Sequence, residues 1–324
     1  MHILSAEQFT RGGLEAIFES TDKLRSDHAQ DPRLLAERHW GKQIITTFYE
    51  PSTRTRISFE IGAAKLGIIP ISTENAKEFS SAAKGETVED TVRVFEQYLP
   101  AAIVMRHDQE GSVRRAAEAT SIPVINAGDG PGEHPTQALL DAYTINSQRG
   151  SIDGAHIVMG GDLRHGRTAR SLAKMLRLFN DVHITFASID ELQMKDDITA
   201  YLDVNGVKWD QTDDLTSVVG RADVFYWTRL QDERFKVNDN DTKEERTAKL
   251  ELATKVAESQ DNLTIDLPTA EAMPGTSFIM HPLPRRGEIK TEVDLSERAH
   301  YFPQAGNGMW VRMALLDTIV SEGN

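Results

Sequence analysis

Short apolar, β-branched runs alternate with amphipathic stretches along almost the whole chain, and this alternation constrains the fold more than any other feature. Gln43–Phe48 (QIITTF) reads as a strand and Arg56–Leu66 as the helix after it. Ile68–Ser72 is a second strand and Val88–Tyr98 a helix. Ala102–Met105 and Pro123–Asn126 are further short strands with a helix between them, and Pro135–Gln148 reads as a helix. A second series opens at His156–Gly160 (HIVMG), passes through a helix over Thr168–Phe179, and continues with strands at Val182–Ala187, Asp223–Trp227 and Ser277–His281. Strands separated by helices imply parallel pairing with helices on both faces. The expected fold is therefore α/β: two doubly wound domains, each with a mainly parallel sheet flanked by helices. In such sheets ligands bind beyond the carboxyl ends of the strands.

The turn-rich stretch Gly150–Gly154 (GSIDG) separates the two series. It divides the chain into residues 1–149 and 150–303, and a length of 324 residues suits two domains. Lys236–Asn262 is highly charged, and its second half has helical apolar spacing at Leu250, Ala253 and Val256. It reads as a loop followed by a solvated surface helix. The last segment, Gln304–Val320, is expected to open with a Gly306-Asn307-Gly308 turn and to end as an apolar helix.

Composition removes several classes of function. With 36 Lys and Arg against 50 Asp and Glu, the net charge is -14, which disfavours a general nucleic-acid binder. No apolar run approaches the roughly 18 residues of a membrane span. The first residues lack a basic stretch followed by an apolar one, so no secretory leader is expected. The chain has 0 cysteines, which removes disulfides, thiolate nucleophiles and sulfur-ligated metals and suits a cytoplasmic protein.

Six segments carry candidate chemistry. Pro51-Ser52-Thr53-Arg54-Thr55-Arg56 lies between a strand and a helix, where unpaired backbone N–H groups and the helix dipole attract a phosphate. Hydroxyls add donors there and Arg adds charge-assisted bonds. The same cluster also reads as a capping group with surface arginines, and one of Arg54 and Arg56 is expected to make structural ion pairs. It is not a Walker loop, since the Gly-rich lead and Gly-Lys pair are missing. Ser80 to Thr87 offers Ser80 and Lys84 in a polar loop, where the ammonium serves either as a mobile charge or as a solvated one.

Gly128 to Gln137 brings three glycines to His134 at a helix entrance, with Pro135 suited to the first helical position. His134 could donate to a carbonyl oxygen, act as a base, or cap the helix. No partner spacing around it suggests a metal. Gly160 to Thr168 lacks the GxGxxG spacing of a dinucleotide site, and Arg167 is instead a carboxylate clamp candidate. Thr228-Arg229-Leu230-Gln231 and His281-Pro282-Leu283-Pro284-Arg285 each follow a strand. Two prolines stiffen the second of these and leave carbonyls without a sheet partner.

Taken in order from about Phe48 to Arg312, these segments resemble the aspartate/ornithine carbamoyltransferase family, and its aspartate branch more closely. Ser-Thr-Arg-Thr-Arg and His-Pro-Thr-Gln mark the whole family. Lys84-Gly85-Glu86-Thr87, Thr228 to Gln231 and His281 to Pro284 are similar to the aspartate branch; the ornithine branch typically has His-Cys-Leu-Pro at the last position.

The resemblance implies transfer of the carbamoyl group of carbamoyl phosphate to the amine of L-aspartate, an early committed step of pyrimidine synthesis. The attack is direct, with no covalent enzyme intermediate, no metal and no cofactor. It implies that Ser52, Thr53, Arg54 and Thr55 bind the phosphate and that Arg106 is a second phosphate and carbonyl contact. His134 would donate to the carbamoyl oxygen. Gln137 and the carbonyls of Leu283 and Pro284 would hold the carbamoyl NH2. Arg167 and Arg229 would take the aspartate carboxylates, with Gln231 in support. Ser80 and Lys84 would come from a neighbouring subunit of a homotrimer with shared active sites.

Residues 1–149 would then be the carbamoyl phosphate domain, joined by a returning C-terminal helix over 304–324, and 150–303 the aspartate domain. Separate regulatory chains are a further partner class that the resemblance admits. The rival readings are another amine acceptor such as ornithine, or a non-catalytic family scaffold. The sequence departs from the family pattern at His165, where an aromatic residue is common, at Arg286-Gly287, and in a longer segment after Phe235.

Overall fold

The structure is a computed structural model that describes residues 1–79, 81–231 and 235–322. Its described residues divide into two compact units, Met1–Thr144 with Ala305–Asn324, and Ile145–Gln304.

In the first unit, β1 (Gln43–Phe48), β2 (Ile69–Glu74), β3 (Ala102–His107) and β4 (Val124–Asp129) form a sheet in the order β2-β1-β3-β4. Every pairing is parallel. β1, β3 and β4 are buried almost throughout, as near-continuous apolar runs require when helices cover both faces. β2 is an exposed edge strand, which is where Pro70 can sit without costing a ladder bond. Ile103, Met105, Val113, Ala116 and Val124 form part of the core between β3, β4 and the helix Ser112–Glu118.

In the second unit, β5 (His156–Gly161), β6 (His183–Ala187), β7 (Lys208–Thr212), β8 (Val224–Thr228) and β9 (Phe278–Met280) form an all-parallel sheet in the order β7-β6-β5-β8-β9. Val158, Phe225, Trp227, Ile279 and Tyr301 lie in its core, and the indole of Trp227 donates to the Leu263 carbonyl at 2.8 Å. The architecture is α/β with two parallel sheets, as the alternation of runs implies.

Three elements differ from the sequence reading. β7 (KWDQT) carries little apolar signal because it is a half-exposed edge. The helix after β1 begins at Thr53, not Arg56. The Gly306-Asn307-Gly308 stretch is no turn but lies inside one continuous helix, Tyr301–Glu322. The reason is packing. A Cβ on Gly308 would fall 3.0 Å from Leu140 and 2.9 Å from the Arg312 guanidinium. Asn307 is held from both ends, donating to Thr144 Oγ1 at 3.1 Å and accepting from Arg25 at 2.9 Å. From Ala305 onward this helix belongs to the first unit.

The charged segment forms a helix over Lys243–Glu258, entered through a capping box of Thr242 and Glu245. Leu252, Ala253 and Val256 pack on Ile189, Leu192, Phe235 and Leu263, while no residue of the helix is fully buried.

Candidate active site

In an open parallel sheet the ligand crevice lies where the strand order reverses, outside the carboxyl ends of the strands. In the first unit that point falls between β1 and β3. The segment leaving β1 turns at once into the helix Thr53–Lys65. Ser52 occupies the N-cap position, yet its hydroxyl makes no capping bond, and Thr55 is buried. The capping role that the sequence left open is thus not the one Ser52 takes. Arg54 has an exposed side chain whose guanidinium pKa is nonetheless lowered by desolvation. Arg56 is the structural arginine of the pair, with ion pairs to Glu60 at 3.2 Å and Glu74 at 2.9 Å.

Arg106, near the end of β3, is 7% exposed and lies against Glu50 at 2.9 Å, with a further bond to the Ala127 carbonyl at 3.2 Å. After β4, Gly130 has φ +53, and a Cβ there would meet the Asp108 carbonyl at 2.6 Å, so only glycine fits this turn. The turn delivers His134, buried at 4% exposure, to the start of the helix Pro135–Arg149. Gln137 is also buried and donates to Asp141 at 2.9 Å. Ser52, Thr53, Arg54, Thr55, His134 and Gln137 therefore follow the carboxyl ends of β1 and β4, and Arg106 sits near the carboxyl end of β3 between them. Lys84 is exposed at the end of a short helical turn, Ser81–Lys84. Ser80 lies outside the described residues.

In the second unit the order reverses between β5 and β8. The glycines that end β5 serve packing: a Cβ on Gly160 would lie 2.2 Å from the Trp227 ring, and one on Gly161, at φ +88, 2.0 Å from the Thr228 carbonyl. The loops after these two strands are tied together. Thr228 Oγ1 donates to the Gly160 carbonyl at 2.9 Å, and Gln231 Nε2 donates to the His165 carbonyl at 2.9 Å. Fully buried Asp162 accepts from the His165 N–H at 3.1 Å and lies 3.0 Å from His165 Nδ1. His165 thus fills a structural place in the loop. Arg167 begins the helix Arg167–Leu176, and Arg229, just past β8, is half-buried.

After β9, a buried pair shapes the turn. The Leu283 N–H donates to His281 Nδ1 at 2.7 Å, so Nε2 carries the proton and donates to Glu288 at 2.8 Å. Glu288 also accepts from the N–H groups of Arg286 and Gly287, at 3.2 Å and 3.0 Å. Burial pushes the Glu288 pKa up, but its bonds to His281 and to the backbone outweigh burial and hold it below the ordinary value. Leu283 sits at φ +54 and its bond to Pro284 is cis.

Three residues around the candidate site escaped the sequence reading, Glu50, Asp141 and Glu288, and His281 entered it only as part of a segment and not as a buried ring. The nearest signal to Glu288 was the Arg286-Gly287 departure beside it. Among the described residues no three His, Asp or Glu side chains gather as metal ligands.

The fold and site define an α/β enzyme with cationic and hydroxyl groups at both strand-order reversals, a layout suited to anionic reactants. Comparison with known proteins narrows this further. Residues 1–147 match the carbamoyl-P binding domain, and 153–319 the Asp/Orn binding domain, of the aspartate/ornithine carbamoyltransferases. A chloroplastic aspartate carbamoyltransferase of Arabidopsis thaliana is 47% identical over 98% of this chain and 77% of its own length. The aspartate carbamoyltransferase catalytic subunit of Vibrio vulnificus is 38% identical, covering 99% of this chain and 97% of its own. An aspartate transcarbamoylase of Trypanosoma cruzi, solved with carbamoyl phosphate and aspartate, superposes with a TM-score of 0.86 at 36% identity, over 98% of this chain and 96% of that one. The chain belongs to the aspartate/ornithine carbamoyltransferase family.

Proposed function

We propose that this enzyme is an aspartate carbamoyltransferase, converting carbamoyl phosphate and L-aspartate to N-carbamoyl-L-aspartate and phosphate, an early step of pyrimidine nucleotide synthesis. The reading is carried by one observation: each matched cationic or hydroxyl residue of the described chain, Lys84 aside, sits near or just past a carboxyl strand end next to an order reversal or on the strand beside it. The reactants bring two carboxylates and a phosphate, and the chain offers Arg54, Arg106 and Lys84 in the first unit and Arg167 and Arg229 in the second.

Ser52, Thr53, Arg54 and Thr55 bind the phosphate at the helix start. The neutral amine of aspartate attacks the carbamoyl carbon and gives a tetrahedral oxyanion. Thr55, Arg106 and His134 stabilise it, each donor being worth about 2.7–4 kcal/mol when preorganised. The C–O bond to phosphate then breaks, and the leaving phosphate takes the proton that the amine loses. Gln137 and the carbonyls of Leu283 and Pro284 orient the carbamoyl NH2, the pair His281–Glu288 holding the latter turn. Arg167 and Arg229 hold the aspartate carboxylates, with Gln231 fixing the loop between them. Residues 1–149 with 304–324 form the carbamoyl phosphate domain, and 150–303 the aspartate domain.

The working assembly is a homotrimer in which Ser80 and Lys84 complete a neighbour's site, open to association with separate regulatory chains. No helix of the described residues is long and apolar enough to cross a membrane, and we place the enzyme in the cytoplasm. The test compares phosphate release with L-aspartate and with L-ornithine: release with aspartate alone supports the reading, and release with ornithine alone overturns it.

A further inference from the structure

Behind the anion site of the first unit lies a buried arginine that the reaction scheme does not use. Arg312, on the helix Tyr301–Glu322, is 3% exposed. Its Nη1 donates to Ser58 Oγ at 2.8 Å, and Ser58 Oγ donates to the Thr55 carbonyl at 2.9 Å. Its guanidinium lies over the Phe59 ring, 5.4 Å from the centroid. Gly308 makes the space it occupies. Two of its nitrogens, Nε and Nη2, make no hydrogen bond within the described residues. A buried cation with unmet donors costs stability, and an apolar side chain of similar volume is often as good or better for folding alone.

We propose that Arg312 is a positioning residue for phosphate binding, fixing the first turn of the helix Thr53–Lys65 through Ser58 and Thr55 and opposing the charge of Asp141 beside Gln137. The inference rests on the reading of the first unit as the carbamoyl phosphate side. Three of its neighbours are candidate site residues or hold one. Thr55 is reached through Ser58. Gln137 donates to fully buried Asp141 at 2.9 Å, and Asp141 attracts Arg312. Arg106 repels it. Burial lowers the Arg312 pKa to about 10, so the group stays charged at neutral pH. A fixed positive charge behind Thr55 adds to the cationic field that a bound dianion meets. Within the low-dielectric interior such a charge acts over a longer range than on a surface.

The test uses the full-length assembled enzyme with Arg312→Met, Arg312→Lys and the double variant Arg312→Met with Asp141→Asn. Inorganic phosphate affinity is measured by calorimetry, together with KM for each substrate and the melting temperature. Arg312→Met should weaken phosphate binding by about 10- to 100-fold, by analogy with the loss found when outer-layer partners of a bound metal are removed. KM for carbamoyl phosphate should rise in step, with far less change in KM for aspartate. Arg312→Lys should recover part of the loss, because it keeps the charge without the fork.

The double variant lacks both buried charges. It should melt near the wild-type temperature yet stay weak for phosphate. Recovery of phosphate affinity together with stability in the double variant would reduce Arg312 to a structural role and overturn the proposal. So would unchanged phosphate affinity in Arg312→Met or, where that variant does not fold, wild-type affinity in the double variant. Phosphate binding is read without turnover, so a wild-type enzyme that binds phosphate but does not carbamoylate aspartate would count against the functional reading and not against the role of Arg312.

Discussion

Replacing Glu288 by Gln tests how the turn after β9 is held. The carboxylate is 2% exposed and accepts from His281 Nε2 at 2.8 Å and from two backbone N–H groups at 3.2 Å and 3.0 Å. Gln keeps the shape but has one acceptor oxygen, so at least one donor loses its partner and faces an NH2 group. Loss of charge-assisted bonding at a buried site costs about 1.5–3 kcal/mol. For a domain of this size each kcal/mol shifts the melting temperature by about 2–4 °C. The variant should therefore melt about 4–8 °C lower, if roughly 2 kcal/mol is lost.

The sign with pH follows from the depressed Glu288 pKa. Its contribution is full above the unfolded carboxylate value of about 4.3 and is lost as pH falls through the lower folded value. The gap between wild type and variant, read by calorimetry, should thus narrow below about pH 4. Displacement of the Leu283 and Pro284 carbonyls should also cut turnover, because misplacement of about 1 Å near reacting groups can cost about a hundredfold. Equal melting temperatures at neutral pH, or a gap that widens in acid, would refute the reasoning.

Other expectations concern different parts of the molecule. His134→Ala should lower turnover by about 100- to 1000-fold while leaving the limbs of the pH–rate profile in place, as expected of an oxyanion donor; loss of one limb would make His134 a base instead. Mixing Arg54→Ala chains with Lys84→Ala chains should restore part of the activity through intact sites in hybrid trimers, and mass-verified hybrids without activity would exclude a shared site. His156 stacks on His183 with ring centroids 4.6 Å apart, and burial lowers its pKa. Its neutral form is therefore favoured by folding, and stability should decline as pH falls below the unfolded value of about 6.5. His156→Gln should flatten the melting temperature against pH in that range, and an unchanged slope would assign the acid sensitivity elsewhere.

Most of the fold was legible because inner parallel strands must be apolar throughout, which is why QIITTF, HIVMG and VFYW stand out of the sequence. KWDQT did not, since this particular edge strand is only partly buried and carries little apolar signal. Gly306-Asn307-Gly308 misled for a related reason: glycine marks a turn when its backbone freedom is used, but here its missing Cβ admits Leu140 and Arg312. At the candidate site, positions just past strand ends stood out because cations and hydroxyls cluster there within a few residues of sequence. Arg54 and Arg56 divide as a helix start requires, with Arg56 turned to Glu60 and Glu74. The tertiary contacts around these positions were not legible. Arg312 lies 254 residues from Ser58, and no spacing rule joins positions that only the tertiary fold brings together. Even the short His281–Glu288 pair depends on a turn that composition does not reveal.

The central claim concerns which atoms are joined. Incubation with isotope-labelled carbamoyl phosphate and L-aspartate, followed by mass spectrometry of the products, measures this directly. Labelled N-carbamoyl-L-aspartate should form in equal amount with phosphate. Phosphate released without labelled carbamoyl aspartate, or label transferred to L-ornithine but not to L-aspartate, would contradict it.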